Sequence, residues 1–321
     1  MPFPIDDKLV IAVASTALFD LAESDDIFKR KGLDEYRRHQ RTNEGIPFAP
    51  GVAFPFVRRL LSLNTGSKEC PVEVVLLSHN DPDTGLRVFK SIEHHGLDIS
   101  RGAFLNGKAP HSYMESFNAS LLLSGNVENV RAAIAAGHAA GLVLGSPFDD
   151  DLRDKELRVA FDFDAVLADD SAEAVFHETQ DIHAFHAAEV EQAAVPRRPG
   201  PLHRLFQGLA ALQNDESVRR RREETPAVRI AVITARNAPS HERVVTTFRE
   251  WNVQPDETFF LGGIDKTRIL KAFKPHIFFD DQLIHLEAGS RYGAMVHVPF
   301  GIKNRTDAQL APPVVAHGEG R

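Results

Sequence analysis

The chain has 321 residues, 43% of them apolar and 26% charged, with a formal net charge of -8 and a single cysteine. That length suits two ordinary domains, each able to bury a core; the acidity speaks against a nucleic-acid-binding surface, and a lone Cys70 rules out an internal disulfide framework and fits a reducing compartment. Met1 to Val13 lacks a basic stretch followed by a long apolar one, and no run of about 18 apolar residues occurs anywhere, so a cytoplasmic protein with no membrane segment is expected.

In chain order, the first half alternates strand and helix signals. Leu9 to Ala14, Val72 to Leu77, Gly102 to Leu105 and Ser120 to Leu123 read as strands; Phe54 to Leu63, Gly85 to His95 and Val127 to Ala140 read as helices. The turn-rich run Gly145 to Asp151 marks a boundary near residue 150. A second unit follows, from about 151 to 302. Its strand-like runs are Leu157 to Phe161, Val228 to Ile233, Thr258 to Leu261 and His276 to Phe279, with helical patterns at His241 to Trp251 and Lys266 to Phe273. The helical segment Ala172 to Ala194, within a span of about 172 to 198, reads as a short cap. Residues 303 to 321 form a polar, aperiodic tail. Strands alternating with helices imply an α/β fold around a parallel sheet, with ligands held beyond the carboxyl ends of the strands.

Each run of the second unit ends in polar residues suited to phosphate chemistry. The first stops at Asp162-Phe163-Asp164, the second at Thr234, the third at Gly262-Gly263 with Lys266 beyond, and the fourth at Asp280-Asp281. Residues two apart on a strand share a face, so Asp162 and Asp164 can address one reacting group. A strand ending in Asp-x-Asp is also an ordinary solvated turn; the three later junctions favour chemistry. Phosphate monoesters need accelerations of up to roughly 10²¹-fold, and a carboxylate nucleophile, a divalent ion and a fixed cation together suit that task. On this reading Asp162 attacks phosphorus, Asp164 protonates the leaving alkoxide, and Thr234 and Lys266 hold phosphate oxygens. Asp280 and Asp281, with Asp162 and the main-chain carbonyl of Asp164, bind Mg²⁺. Arg236 contacts phosphate or ribose, or pairs with an acid to hold its loop.

These residues resemble the four motifs of the haloacid dehalogenase superfamily. More narrowly, nearly the whole chain resembles the cytosolic 5'-nucleotidase type I family. The resemblance is carried by Ala17-Leu18-Phe19, Pro47 to Val57, Val159 to Asp162, Ile233 to Arg236, Phe260 to Gly263 and Lys274 to Gln282. It implies a haloacid dehalogenase-like, Rossmann-like catalytic domain and Mg²⁺-dependent hydrolysis of nucleoside 5'-monophosphates such as AMP through an aspartyl-phosphate. Members of the family carry Gly between the two aspartates, where this chain has Phe163. Its amide can still bind phosphate, while its side chain is expected to reshape the nucleotide pocket.

The halves resemble one another. Shifting Val72 to Asn126 by 156 positions lays it on Val228 to Gln282 without a gap, placing Ser78 on Thr234, Pro110 on Lys266 and Ser124-Gly125 on Asp280-Asp281. A slightly different shift puts Ala14 and Thr16 on Asp162 and Asp164. Residues 1 to 150 therefore read as a degenerate, non-catalytic α/β lobe that closes the nucleotide pocket or carries an effector site, with Ser78 and Asn80 as candidate nucleotide contacts. Chance similarity of two βα patterns is the competing explanation. His177, His183 and His186 read as a solvated helix face, and Arg219 to Arg222 as a solvated helix end or loop. The alternatives to a 5'-nucleotidase are a phosphatase for another small phosphomonoester and a nucleotide-binding regulatory protein. Base and sugar preference, activation by ADP or ATP, and homo-oligomerisation stay open.

Overall fold

The computed structural model describes residues 3–65, 69–147, 149–172, 181–214 and 228–304. His177, Arg219 to Arg222, part of the expected cap and nearly all of the tail lie outside the described residues. Among the described residues ten strands form one sheet: β1 Leu9–Val13, β2 Val72–Ser78, β3 Arg101–Phe104, β4 Ala119–Ser124, β5 Ala140–Val143, β6 Leu157–Phe161, β7 Val228–Thr234, β8 Glu257–Phe260, β9 Ile277–Asp280 and β10 Ala294–His297. Their order is β3-β2-β1-β4-β5-β10-β9-β6-β7-β8. The expected α/β class around a mostly parallel sheet is therefore present.

Within each half all neighbours are parallel, and the halves meet through the antiparallel pair β5–β10. Each half has its first strand central, flanked by its second and fourth. The registers also agree: Leu9 pairs with Val72 as Leu157 with Val228, and Val75 with Arg101 as Ala231 with Glu257. Ile11 pairs with Leu121 as Val159 with Ile277. Because the join is antiparallel, the carboxyl ends of the two sets of strands leave opposite edges of the sheet. The carboxyl ends of the first half's own strands therefore face away from those of the second half.

The strands are buried on both faces, as parallel strands under helices must be. Leu9, Ile11 and Val13 of β1 and Leu157, Val159 and Phe161 of β6 share one core that runs under both halves. The opposite face divides in two: Val10, Ala12, Leu122 and Val130 in the first half, and Ala160, Ile233, Leu270 and Phe278 in the second. Along the chain the helices are α1 Ser15–Leu18, α2 Ala22–Lys31, α3 Leu33–Thr42, α4 Phe54–Ser62, α5 Pro82–His94, α6 Val127–Ala135, α7 Ile182–Glu191, α8 His203–Asn214, α9 His241–Glu250, α10 Thr267–Phe273 and α11 Leu283–Gly289. Helix α4 packs on β2 and β6, and α8 on β7, β1 and β4, so each straddles the join.

Several elements differ from the sequence reading. The helix expected to reach Ala140 ends at Ala135, because Gly137 takes a left-handed φ of 82° and Ala140 opens β5. Helices α1, α2, α3, α8 and α11 and strand β10 occupy stretches to which the sequence analysis assigns no element. Among the described residues no helix is long and apolar enough to cross a membrane.

Candidate active site

Strand β6 lies between β7 and β9, so the polar residues that end these strands stand side by side at one edge. Asp162 follows β6, Thr234 ends β7 and Asp280 ends β9, and all three are buried. Lys266, at the start of α10, sends its Nζ between two of them, 2.7 Å from Asp162 Oδ2 and 2.7 Å from Asp280 Oδ2. Asp281 is also buried. Its main-chain carbonyl accepts from Asn304 Nδ2 at 2.9 Å and lies 3.0 Å from His297 Nε2. The expected grouping of Asp162, Thr234, Lys266, Asp280 and Asp281 is what the folded chain assembles.

One ammonium does not neutralise the two buried carboxylates it bridges. Burial pushes Asp162 up to about 7, with Lys266 opposing and Asp280 adding to the shift. Asp280 lies below the usual carboxylate range: burial works against this, but Lys266 and His285 prevail. Lys266 is raised by its two carboxylates despite burial. A buried cluster with surplus negative charge and hard oxygen donors fits a divalent cation. Donor atoms of Asp162, Asp280 and His285 all lie within 4.8 Å of one another. His285, on α11, was not singled out from the sequence; its Nδ1 is 3.0 Å from Asp280 Oδ2, and the only signal was its position five residues beyond that aspartate.

After Asp162 the chain makes a wide turn over Phe163–Leu167, with Ala165 at a left-handed φ of 59°. This turn sends the two residues of the motif in different directions. Phe163 points into the core, fully buried, with its ring 5.7 Å from that of Phe248 and 6.4 Å from that of Trp251. The expectation that its side chain shapes the nucleotide pocket is corrected. Its amide donates to Asp162 Oδ1 at 2.7 Å, and its ring lies 5.5 Å from the Arg236 guanidinium.

Asp164 turns toward Arg236, which grips both of its oxygens at 2.7 Å through Nε and Nη2. Burial would raise this carboxyl, but Arg236, with Arg197 and Lys303, holds it below the usual range. The remaining edge of Arg236 donates through Nη1 to Glu189 of α7 and to Ser240 O. Of the roles expected for Arg236, the structure shows it paired with acids, Asp164 and Glu189. Its main-chain amide donates to Thr234 Oγ1 at 3.2 Å. Glu189 and Arg197 are further residues that the sequence reading did not single out.

The first-half residues lie at the opposite sheet edge and are bonded internally. Ser78 Oγ is 3.2 Å from Ser15 Oγ, and Asn80 Oδ1 accepts from Tyr36. Where the second half has Asp281, the amide of Gly125 donates to Thr16 Oγ1 at 3.1 Å. A Cβ on Gly125 would come within 2.8 Å of the Thr16 carbonyl oxygen, so no carboxylate side chain fits there.

Comparison with known proteins agrees with this geometry. Residues 1–305 match the family model described as 5'-nucleotidase. Human cytosolic 5'-nucleotidase 1B is 34% identical over 311 residues, 94% of this chain and 51% of that protein. The chain thus spans about half the length of that curated relative. No solved structure matches it. A match over nearly all of the chain, together with the acidic, lysine-bridged strand ends, places this protein in the 5'-nucleotidase family, in the cytosolic type I group.

Proposed function

We propose that the protein is a phosphomonoesterase that hydrolyses nucleoside 5'-monophosphates to nucleosides and phosphate, with Asp162 as nucleophile. The observation that carries this reading is Lys266 bridging Asp162 and Asp280 in a buried site of a chain that matches the 5'-nucleotidase family throughout. Asp162, Asp280 and Asp281, with the main-chain carbonyl of Asp164, would hold Mg²⁺, which would neutralise charge on the phosphate and keep Asp162 ionised.

In the first half-reaction an oxygen of Asp162 bonds to phosphorus as the bond from phosphorus to the 5'-oxygen breaks. Asp164 supplies the proton to that departing oxygen. In the second, Asp164 takes a proton from water, the water oxygen bonds to phosphorus, and the acyl-phosphate bond breaks to free phosphate and restore Asp162. Thr234 and the Phe163 amide donate to phosphate oxygens, and Lys266 adds a fixed positive charge against the charge that develops there. This is the chemistry of a haloacid dehalogenase-like domain.

The first half is, on this reading, a non-catalytic copy of the same design. Its strand order and registers repeat those of the second half, while Ala14, Thr16, Pro110, Ser124 and Gly125 stand where the second half has its aspartates and lysine. Measuring phosphate released from a panel of nucleoside monophosphates and sugar phosphates, with and without Mg²⁺ and with ADP or ATP added, tests the substrate class. Release from nucleoside 5'-monophosphates is expected; release from sugar phosphates alone would replace this substrate class with another.

A further inference from the structure

A carboxylate whose two oxygens both accept from one guanidinium is not placed to hand a proton to a leaving group, yet this is how Asp164 stands. The same guanidinium touches a second carboxylate, Glu189, which is buried and also faces Arg243 Nη1 at 2.8 Å and Arg197 Nη1 at 3.4 Å. Glu189 lies on α7, in the segment between the first and second site strands. Stranding a buried guanidinium without a partner costs several kcal/mol, on the order of 3–5. Arg236 can therefore release Asp164 only where another carboxylate already holds it.

We propose that Glu189 and Arg236 are positioning residues that set which way Asp164 faces. Arg236 holds the carboxylate back, and Glu189 retains the guanidinium when Asp164 turns to the leaving oxygen. This rests on the reading of Asp164 as the proton donor of a phosphomonoesterase.

The first half serves as an internal control. Arg87 stands where the second half has Arg243, and each donates through Nε to a loop carbonyl at 2.8 Å, Ile46 O and Val195 O respectively. Ser91 and Thr247 each bond back to the carbonyl of that arginine and accept a loop amide, of Phe48 and of Arg197, at 2.9 Å. In the place of Glu189 stands Gln40, whose Oε1 accepts from Arg87 at 3.2 Å. The scaffold thus forms with a neutral amide. Asn80 replaces Arg236 and Thr16 replaces Asp164, so the charged pair is present only in the half that has a carboxylate to position.

The test is single-turnover kinetics of leaving-group release by Glu189→Gln, with enzyme in excess, on a nucleoside 5'-monophosphate and on 4-nitrophenyl phosphate, whose leaving group departs without a proton; this isolates the first half-reaction from the later use of Asp164 as base toward water. The variant should release nucleoside about tenfold or more slowly, part of the roughly 10²–10⁴-fold that general acid catalysis supplies. Its release of 4-nitrophenolate should stay within about twofold, since that departure makes no use of the donor. Equal losses on both substrates, or no loss on either, would overturn the proposal. If that variant does not fold, Glu189→Asp, which keeps the charge but withdraws it by one methylene from the three arginines, replaces it and should show the same difference between the two substrates. A wild-type protein that releases phosphate from neither substrate would instead sink the hydrolase reading itself.

Discussion

Replacing Lys266 by Met removes the one ammonium between Asp162 and Asp280 while keeping most of its volume. At 2.7 Å each contact is worth about 6 kcal/mol at an effective dielectric of about 20, before desolvation is subtracted. The net cost of stranding a buried partner is about 3–5 kcal/mol. Urea unfolding with a chelator present should show that loss in full at pH 8. At pH 5.5 the loss should be smaller, because the stranded carboxylates take up protons. The sign follows from linkage: Asp162 already titrates near 7 in the folded protein, above its unfolded value of about 4. The folded state therefore binds more protons than the unfolded one in that window, and stability falls as pH rises through it. Losing the lysine raises Asp162 and Asp280 further and steepens the fall. Saturating Mg²⁺ should restore part of the stability, about 2.7 kcal/mol at a hundredfold excess over its dissociation constant. A variant equally stable at both pH values, or as stable as wild type at pH 8, would refute the charge balance drawn for this site.

Three further outcomes are expected. His285→Ala should weaken Mg²⁺ binding by about 10–100-fold in calorimetry, because its imidazole holds Asp280 in place; unchanged affinity would remove His285 from the site. Mg²⁺ binding should release close to one proton at pH 6 and almost none at pH 8.5, as Asp162 passes from protonated to ionised; titration in buffers of different ionisation enthalpy reads this directly, and a pH-independent release would contradict it. Gly125→Asp should destabilise the fold by about 1–3 kcal/mol without creating a second metal site, since its Cβ would press on the Thr16 carbonyl; a gain of a second bound ion would contradict the closed state of the first-half edge.

What was legible in the sequence follows from how each feature is encoded. Asp162, Thr234, Lys266 and Asp280 stand where apolar runs give way to polar residues, and a parallel sheet brings such ends together whatever the details of packing. That the two halves share a strand order was foreshadowed by the 156-residue correspondence, though the order itself was not. What was not legible depended on direction and on distant partners. Phe163 turns into the core because Ala165 adopts a left-handed conformation that no alternation of apolar residues announces. Strand β5 is short and follows a helix ended by Gly137, so its apolar residues read as a continuation of that helix. Helices α2 and α3 are largely polar and were passed over. Glu189 looks like any charged residue on a helix; its meaning lies in three arginines brought to it from a loop and from beyond β7. Two roles for Arg236 are open in the sequence, and the pairing with Asp164 becomes visible only when the fold brings that carboxylate within reach.

The claim at the centre of this account is that Asp162 carries the phosphoryl group. The most direct measurement is acid quenching of the enzyme during turnover of a nucleoside monophosphate labelled with ³²P in its phosphate, followed by peptide mapping. The account predicts a hydroxylamine-labile label on the peptide containing Asp162, and its absence, together with loss of phosphate release, in Asp162→Asn. Near-normal phosphate release by that variant, or label on another residue, would contradict it.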